Sequence, residues 1–425
     1  MFEKILIPID LSVSSEKLVS CADRIKKVNE IVLLHIVPVG KKSGSGTEDP
    51  LVLEHEAMQA LEKRVRNPDT VVRCIVAEDN GSSIPDAILR IAEAEKPSLI
   101  VMGARKGLLS RSLLGGGGTE ILTQCRTHVL ILQFPGHGIF STLSPEENPG
   151  ELFNRILFPL DFSRPANEAL ASVRTIEDVS EIILLHVIRK IENPDAMNLI
   201  VREVEKRLSE AREKIKQEHP DIRIRMMVRF GDPTDQICTV AAEEQVTLVI
   251  MSRYGKQDYI RKIPLGTTTS KVTAHIKKPV LVMFTRIQLE LTARELEKGE
   301  FYLAEKIRYD YHQTKSDPLY DRIFAVFIED TPVSVARCKQ HDDWYEVDGI
   351  FTWEEFRGNG YARYALDTLI RECGDRGLSI YAVRHLVDFY TSLGFVPIPE
   401  EALPATIRER YSWAMGNMEG ADVAR

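Results

Sequence analysis

The sequence has few cysteines and no closely spaced pair among them. Consecutive members of the six are at least 35 residues apart, whereas structural zinc sites and disulfide frameworks use short, recurring cysteine spacings. We therefore expect reduced thiols, no bound metal and a cytoplasmic location for the protein.

An excess of positive charge and long apolar runs are also missing. Lysine and arginine number 55 against 63 aspartate and glutamate, which gives a net charge of −8 and disfavours nucleic acid or an anionic membrane as a partner. No run approaches the roughly 18 apolar residues that a membrane-spanning helix needs. Because Glu3 and Asp10 flank the first apolar stretch, we also expect no signal peptide.

An internal repeat is the main feature that the chain does contain. KILIPIDLS at Lys4–Ser12 recurs as RILFPLDFS at Arg155–Ser163, and IVLLHIV at Ile31–Val37 recurs as IILLHVI at Ile182–Ile188. Two further blocks recur in the same order, and the offsets of all four lie between 149 and 151 residues. This regularity indicates a duplicated domain.

Each copy alternates strand patterns with helix patterns. Its short runs of Val, Ile and Leu lack polar alternation, as in strands that are buried on both faces. Helical patterns such as Pro85–Ala94 and Asn198–Gln217 lie between these runs. The alternation predicts an α/β fold with a parallel sheet and right-handed crossovers in each copy.

The C-terminal part of the chain does not match the repeat. Helical pattern dominates Leu291–His312, and a hairpin is predicted around Asp330. Strand patterns at Trp344–Thr352 and Leu378–Val383 enclose a helix at Gly360–Cys373, which together predict an α+β domain. The expected domains are 1–137, 151–286 and 287–425, with a linker rich in Pro, Gly and Ser at 138–150.

A carboxylate and a set of glycines mark a candidate ligand site in each copy. Asp10 and Asp161 end the first strand of their copies, and glycine-containing loops follow the fourth strands. Ligands bind beyond the carboxyl ends of parallel strands, where a carboxylate can hold a ribose and backbone N–H groups can hold phosphate. No G-x-G-x-x-G follows either first strand, which disfavours a dinucleotide-dependent dehydrogenase.

These residues resemble the universal stress protein family over about 135 residues in each copy. Its nucleotide-binding branch has G-x2-G-x9-G-(S/T) after strand four. In the first copy, Lys106 and Gly117 depart from this motif; in the second copy, Ser252 and one extra residue do. The resemblance implies an adenine-nucleotide alpha hydrolase-like fold; the alternative is a scaffold whose glycines only form turns. The residues implied to bind ATP are Asp10, Ile36, Gly103, Lys106, Gly116, Gly117, Asp161, Val187, Gly255, Gly266 and Thr267.

A second motif lies in the third domain, between a strand and a helix. Residues Phe356 to Ala362 read FRGNGYA, and the helix that follows is amphipathic. Small residues at a helix N-terminus leave backbone N–H groups accessible to a pyrophosphate. Farther along the chain, Tyr390, Gly394 and Phe395 form the pattern Y-x-x-x-G-F.

Together the two motifs resemble the GNAT acetyltransferase family, which has R/Q-x-x-G-x-G/A followed downstream by Y-x-x-x-G-F. The resemblance implies an acyl-CoA N-acyltransferase fold with acetyl-CoA as the cofactor. The residues implied to bind acetyl-CoA are Phe351, Thr352, Arg357, Gly358, Asn359, Gly360, Tyr361 and Ala362.

The catalytic candidates follow from the same resemblance and from strand periodicity. Tyr390 matches the family position that often protonates the departing sulfur, and backbone N–H groups near Phe351 would polarise the thioester carbonyl. Strand alternation puts Glu346, Asp348 and Ile350 on one face, so that Glu346 or Asp348 is the candidate base. His385 is the alternative base, and an ordinary structural role is open for each candidate.

The combined interpretation is an N-acetyltransferase that moves acetyl from acetyl-CoA to a protein lysine or a small amine, modulated by ATP on the tandem. One alternative is a nucleotide-binding stress protein with an inert or acetyl-CoA-sensing third domain; the other is a constitutive acetyltransferase with an inert tandem. The last strands of the copies, Val129–Leu132 and Val280–Met283, are apolar. The resemblance to the universal stress protein family, in which this edge makes dimers, implies that they pair as a pseudo-dimer within one chain or as a homo-dimer.

Overall fold

The computed structural model describes residues 2–37, 50–79, 81–105, 117–134, 152–173, 175–189, 194–255, 258, 260, 265–286, 289–308, 315–341, 344–374, 377–402, 408 and 423–424. The chain divides into two compact units, Met1–Ile287 and Gln288–Arg425. The predicted linker at 138–150 lies outside the described residues.

The first unit contains both copies of the repeat. Its strands are β1 (Lys4–Ile9), β2 (Glu30–Val37), β3 (Val71–Glu78), β4 (Leu99–Arg105), β5 (His128–Phe134), β6 (Arg155–Pro159), β7 (Glu181–Ile188), β8 (Arg223–Phe230), β9 (Leu248–Ser252) and β10 (Val280–Met283). Its helices are α1 (Val13–Ala22), α2 (Pro50–Glu62), α3 (Ile84–Glu95), α4 (Gly117–Gln124), α5 (Arg164–Val173), α6 (Pro194–Glu218), α7 (Pro233–Glu243) and α8 (Thr267–His275).

The two copies form one continuous sheet of ten strands. The strand order is β3-β2-β1-β4-β5-β10-β9-β6-β7-β8, and each copy is parallel within itself. The copies meet where β5 and β10 pair antiparallel, with Leu281 opposite Leu130. The predicted pairing of the two last strands within one chain is therefore confirmed.

The apolar strand runs are buried on both faces of this sheet. In β1, Ile5 and Ile7 belong to the core on one face, and Leu6 belongs to the core on the other. All three side chains are fully buried. Because helices cover both faces, no position in such a strand favours a polar residue, which explains the missing alternation in the sequence.

The second unit is a separate α+β domain. Its strands are β11 (Leu291–Glu295), β12 (Asp321–Ile328), β13 (Thr331–Gln340), β14 (Tyr345–Thr352), β15 (Leu378–Ile380), β16 (Ala382–Val383) and β17 (Val423–Ala424). Its helices are α9 (Phe301–Arg308), α10 (Tyr361–Cys373) and α11 (Val387–Thr391), with 3₁₀ turns at Lys298–Glu300, Glu354–Phe356, Arg384–Leu386 and Glu400–Ala402.

A five-stranded mixed sheet organises this domain. Its order is β11-β12-β13-β14-β15, with antiparallel pairs except for the parallel pair of β14 and β15. The prediction of helix throughout Leu291–His312 is wrong at its start, because Leu291–Glu295 forms the edge strand β11. Its helix-favouring residues adopt the extended conformation because pairing with β12 outweighs a weak local preference.

A bulge in β14 changes which side chains share a face. Asp348 lies opposite Arg337 and Phe351 lies opposite Val335, so three residues on β14 span the distance of two on β13. Gly349, at φ 57°, sits within this irregularity. Phe351 therefore shares the face of Asp348, and the prediction that Ile350 continues that face is wrong, because a bulge inverts the alternation beyond it.

Candidate functional site

The turn before α10 is open and carries two glycines in the left-handed region. Gly358 has φ 76° and Gly360 has φ 79°, a conformation that only glycine adopts without strain. A Cβ built on either glycine would meet no atom within 4 Å, and no side chain caps the helix at Gly360. The first N–H groups of α10 therefore face a space that can hold an anion.

Other residues of the turn hold its shape. The Asn359 amide donates to the backbone oxygens of Phe356 and Arg357, at 3.1 Å each. Phe356 and Tyr361 are buried at its base, while Arg357 is exposed and its Nε lies 3.4 Å from the Thr352 oxygen. Ala362 is half-buried in the first turn of α10.

Arg363 joins the two sequence motifs. Its guanidinium donates a hydrogen bond to Ser392 Oγ and stacks over the Phe389 ring at 5.5 Å. The first turn of α10 is thus tied to the segment that carries Tyr390. Sequence analysis did not identify Arg363 as a site residue, because a charged residue on a helix has no motif position of its own.

Tyr390 lies on the wall of a large apolar cavity. The cavity measures about 360 Å³ and is also lined by Trp344, Ile380 and Leu393. The Tyr390 ring packs edge-on against Phe389, at 5.1 Å between centroids. Burial raises the pKa of the Tyr390 phenol above its usual value, so the hydroxyl keeps its proton at neutral pH.

The strands β14 and β15 pair only along their first residues. The parallel register runs from Tyr345 opposite Leu378 to Val347 opposite Ile380. Phe351 and Thr352 therefore lie beyond the stretch of β14 that pairs with β15, while both remain paired with β13. An edge of this kind offers backbone groups to a ligand that approaches as an extended chain.

Glu346 is the more secluded of the two candidate bases. Its side chain is only 2% exposed, and its Oε2 lies 3.0 Å from Nε2 of His341. His341 is held by its backbone N–H, which donates to the Trp344 oxygen at 2.9 Å. His341 was missed by sequence analysis, because a histidine five residues before a strand carboxylate can be recognised as its partner only once the hairpin register is known.

Asp348 has a different environment. Nε and one terminal nitrogen of Arg337 donate to its two oxygens, at 2.6 Å each. Arg337 is buried and also lies 3.4 Å from Asp321 Oδ2. Because a buried guanidinium satisfies both carboxylate oxygens, Asp348 serves as its counter-ion. The other alternative, His385, is exposed in the 3₁₀ turn Arg384–Leu386.

In the first copy, Asp10, the residue predicted to hold a ribose, directly follows β1. Asp10 Oδ1 accepts hydrogen bonds from the Ser12 N–H at 3.1 Å and from Ser15 Oγ at 2.9 Å. Ile36 is buried near the end of β2, and Gly103 lies in β4. Gly117 begins α4, whereas Lys106 and Gly116 lie outside the described residues.

In the second copy, Asp161 has a similar position. Its Oδ1 accepts from the N–H of Ser163 at 3.0 Å and from the hydroxyl of the same residue at 2.6 Å. Gly255 approaches so closely that a Cβ there would lie 3.0 Å from Asp161 Oδ2. Val187 is half-buried in β7.

The helix after Gly266 in the second copy begins with a carboxylate on its N-terminus. The Thr267 N–H donates to Asp258 Oδ2 at 3.0 Å, and Thr267 Oγ1 donates to Asp258 Oδ1 at 3.2 Å. A side-chain carboxylate therefore accepts the hydrogen bond of the backbone N–H group that the motif assigns to phosphate. Sequence analysis missed Asp258, which lies between the two glycines of that loop.

The strand-end histidines connect neighbouring strands. His35 Nδ1 lies 3.0 Å from the Ile9 oxygen, and His186 Nδ1 lies 2.6 Å from the Leu160 oxygen. Each ring is thus hydrogen-bonded to a backbone oxygen at or directly after the end of the first strand of its copy. This arrangement is that of a structural side chain.

Comparison with known families assigns both units. The family model described as universal stress protein family matches residues 1–133 and 152–283, and that described as acetyltransferase (GNAT) family matches residues 289–395. The first two segments make up more than half of the chain. The chain therefore belongs to the universal stress protein family, and it carries a GNAT-type domain at its C-terminal side.

Individual proteins resemble separate parts of the chain. Universal stress protein MJ0577 of Methanocaldococcus jannaschii is 32% identical over 155 residues, which span 31% of this chain and 95% of that protein. The solved structure of a universal stress protein from Archaeoglobus fulgidus is 22% identical and covers 66% of this chain and 95% of its own, with a TM-score of 0.43. Escherichia coli ElaA is 22% identical and covers 26% of this chain and 89% of its own, with a TM-score of 0.23.

Two further properties concern the ranges given above as described. Every helix in them is too short or too polar to span a bilayer. The same ranges contain no group of three or more His, Cys, Asp and Glu side chains arranged to hold a metal ion.

Proposed function

We propose that the protein is an acetyl-CoA-dependent N-acetyltransferase that acts on a protein lysine or a small amine, and that adenine nucleotide on the tandem modulates its activity. The observation that carries the enzymatic half is the open turn at Gly358 and Gly360 before α10. It is joined through Arg363 and Ser392 to the segment of Tyr390.

The residues of the turn fit a diphosphate. Two glycines leave room for an anion to approach the backbone, and the N-terminal end of a helix of 13 residues favours negative charge. The exposed side chain of Arg357 adds a positive charge nearby. Phe351 and Thr352, on the part of β14 beyond its pairing with β15, supply backbone groups for the pantetheine arm and the thioester carbonyl.

The proposed chemistry needs a base and an acid. Acetyl-CoA supplies an activated acetyl group as a thioester. Glu346 accepts the proton of the acceptor amine at Oε1 or Oε2, directly or through a water molecule, and His341 holds its carboxylate in one orientation. Tyr390 holds a proton at its phenol oxygen, where it is available to the departing sulfur. Asp348 is the less suitable base because Arg337 occupies both of its oxygens.

Turnover of acetyl-CoA tests this proposal. The full-length protein is assayed with a panel of small amines and lysine peptides, with and without ATP. The Glu346→Gln variant should lower kcat by at least about 100-fold, since it removes the base. Glu372→Gln, on the exposed end of α10, is the matched control and should retain full activity.

The same assay separates the alternatives. If no acceptor is acetylated although acetyl-CoA binds, the third domain is a sensor. If acetylation proceeds at one rate whatever the ATP concentration, the tandem does not modulate the enzyme. Equal rates for Glu346→Gln and the unaltered protein would remove Glu346 from the mechanism.

The nucleotide half of the proposal rests on the carboxylates at the ends of β1 and β6. Equilibrium binding of ATP to the full chain tests it directly. Since a ribose would lose its acceptor, Asp10→Ala should weaken binding by at least about tenfold. Binding that is unaffected by this change would rule out the predicted ribose contact.

A further inference from the structure

The second copy contains an internal anion at the position where a nucleotide phosphate would lie. Asp258 uses both carboxylate oxygens on one residue, Thr267, whose N–H and hydroxyl lie 3.0 and 3.2 Å away. Thr267 is the first residue of α8, a helix of nine residues. The carboxylate therefore takes up both the hydrogen-bond donors and the favourable dipole end of this helix.

The loop around this contact is closely packed. A Cβ on Gly266 would lie 3.0 Å from the Arg253 oxygen and 3.2 Å from Asp258 Oδ2. The open turn at Gly358 and Gly360 in the other unit has no atom within 4 Å of the equivalent positions. A phosphate group at Gly266 would have to displace Asp258, and it would bring a second negative charge next to the first.

The first copy differs at the corresponding positions of its sequence. With Ser252 aligned to Gly103, Asp258 corresponds to Leu109. The stretch 106–116, KGLLSRSLLGG, contains no aspartate or glutamate, and it contains Lys106 and Arg111. The sequence of the first copy therefore has no acidic residue in the stretch that corresponds to the loop of Asp258.

We propose that Asp258 closes the second copy to adenine nucleotide, so that the chain takes up at most one ATP, and takes it up in the first copy. This inference rests on the proposed function of the tandem as a nucleotide-binding module. It assigns Asp258 as the residue that prevents the second copy from binding the triphosphate.

The experiment measures the stoichiometry of ATP binding to the full chain by calorimetry. The unaltered protein should bind one ATP. Asp258→Asn should bind two, because it removes the negative charge that opposes the phosphate. The amide oxygen still offers a hydrogen-bond acceptor to Thr267. The affinity of the second copy should rise by about 100-fold or more. Asp221→Asn, an exposed position in the same copy, removes the same charge and should leave the stoichiometry at one.

Photolabelling with an azido-ATP analogue identifies the copy that is occupied. Label in the unaltered protein should map to residues 1–137, and Asp258→Asn should add label within residues 151–286. Two ATP molecules on the unaltered protein, or no gain in either Asp258→Asn or Asp258→Ala with the fold intact, would overturn the inference. If the unaltered protein binds no ATP, the nucleotide half of the proposed function fails, whereas a gain from zero to one in Asp258→Asn still supports the role of Asp258.

Discussion

Tyr390 is the residue to which we assign the role of proton donor. Its phenol is buried, and burial raises its pKa, so the proton stays on the oxygen through neutral pH. We predict that Tyr390→Phe lowers kcat by about 100-fold, as removal of a general acid does. The dissociation constant for acetyl-CoA should change by less than about twofold, because the ring and its packing are retained.

Steady-state kinetics together with calorimetric binding of acetyl-CoA measure these two effects. Tyr302→Phe, on an exposed position of α9, is the control and should behave as the unaltered protein. A Tyr390→Phe variant with normal kcat would assign the proton to another donor.

His341 links the buried Glu346 to the more accessible surface of the domain. Its ring is 14% exposed, compared with 2% for the Glu346 side chain. We predict that His341→Gln, which can still donate a hydrogen bond to Glu346 but cannot carry a proton, lowers kcat by about tenfold. The KM for acetyl-CoA should stay within about twofold of its normal value, because His341 lies away from the cofactor turn.

Chemical rescue distinguishes proton transfer from mere support. Added imidazole should restore the rate of His341→Gln if the ring carries a proton, and it should leave the rate of His275→Gln, an exposed residue of the tandem, unchanged. A loss of rate that imidazole does not restore would assign His341 a positioning role only.

At the scale of single residues, the sequence identified two candidate bases but gave no reason to prefer one of them. Glu346 and Asp348 are equivalent in the strand pattern, and only the pairing of β13 with β14 shows that Arg337 lies opposite Asp348. His341 and Asp258 depend on partners across a turn or a loop. Their roles follow from tertiary geometry, which no short motif encodes.

The glycine turn before α10 is the element to which we assign cofactor binding. Gly360 has φ 79°, and a Cβ there would project into open space. We predict that Gly360→Ala raises the KM for acetyl-CoA by at least about tenfold, because the side chain enters the cradle and the backbone conformation costs about 1 kcal/mol. At saturating cofactor, kcat should change by less than about twofold.

Gly299→Ala is the control for adding a methyl group at an open glycine outside this turn. No atom lies within 4 Å of its Cβ position, so the same substitution should leave both kinetic constants unchanged. An unaltered KM in Gly360→Ala would show that the diphosphate does not lie against this turn.

Elements were predicted well where burial dominates and poorly at the edges. The apolar strands of both copies and the amphipathic helix α10 follow directly from the hydrophobic pattern. The edge strand β11 was misread as helix because its five residues, Leu291–Glu295, are half-exposed or exposed and follow no apolar pattern. Gly349 inside a strand pattern does signal a bulge, but the inversion of faces beyond it required the register.

For the molecule as a whole, the join between the two copies contains a titratable group. Nδ1 of His128, from β5, accepts a hydrogen bond from the Phe284 N–H, just after β10, at 3.1 Å. Burial lowers the pKa of His128 from 6.5 to about 4. The folded state therefore keeps the ring neutral, whereas the unfolded chain binds a proton at about pH 6.5.

The sign of the pH effect follows from this difference. The stability contributed by neutral His128 is complete above about pH 6.5 and is lost as the pH falls through about 4. We predict that the free energy of unfolding of the first unit decreases by about 3 kcal/mol over this range from this group alone. His128→Asn should lack this component in urea unfolding at pH 7 and pH 4, whereas His275→Asn should retain it.

Equal pH dependence in His128→Asn and the unaltered protein would assign the acid lability to other groups. The pairing of the two last strands was predicted from their apolar residues together with the resemblance to the universal stress protein family. The hydrogen bond between His128, at the start of β5, and the Phe284 N–H, just after β10, could not be predicted from the sequence, since these residues are 156 positions apart.

The antiparallel meeting of β5 and β10 within a single polypeptide has a consequence for how the protein can evolve. In an assembly of two identical subunits, any mutation is expressed twice, so both halves gain or lose a property together. Here the halves are encoded separately and remain associated at any dilution, since the partner is tethered. One copy can therefore acquire a specialised function, while the other copy is retained because its strands complete the shared sheet.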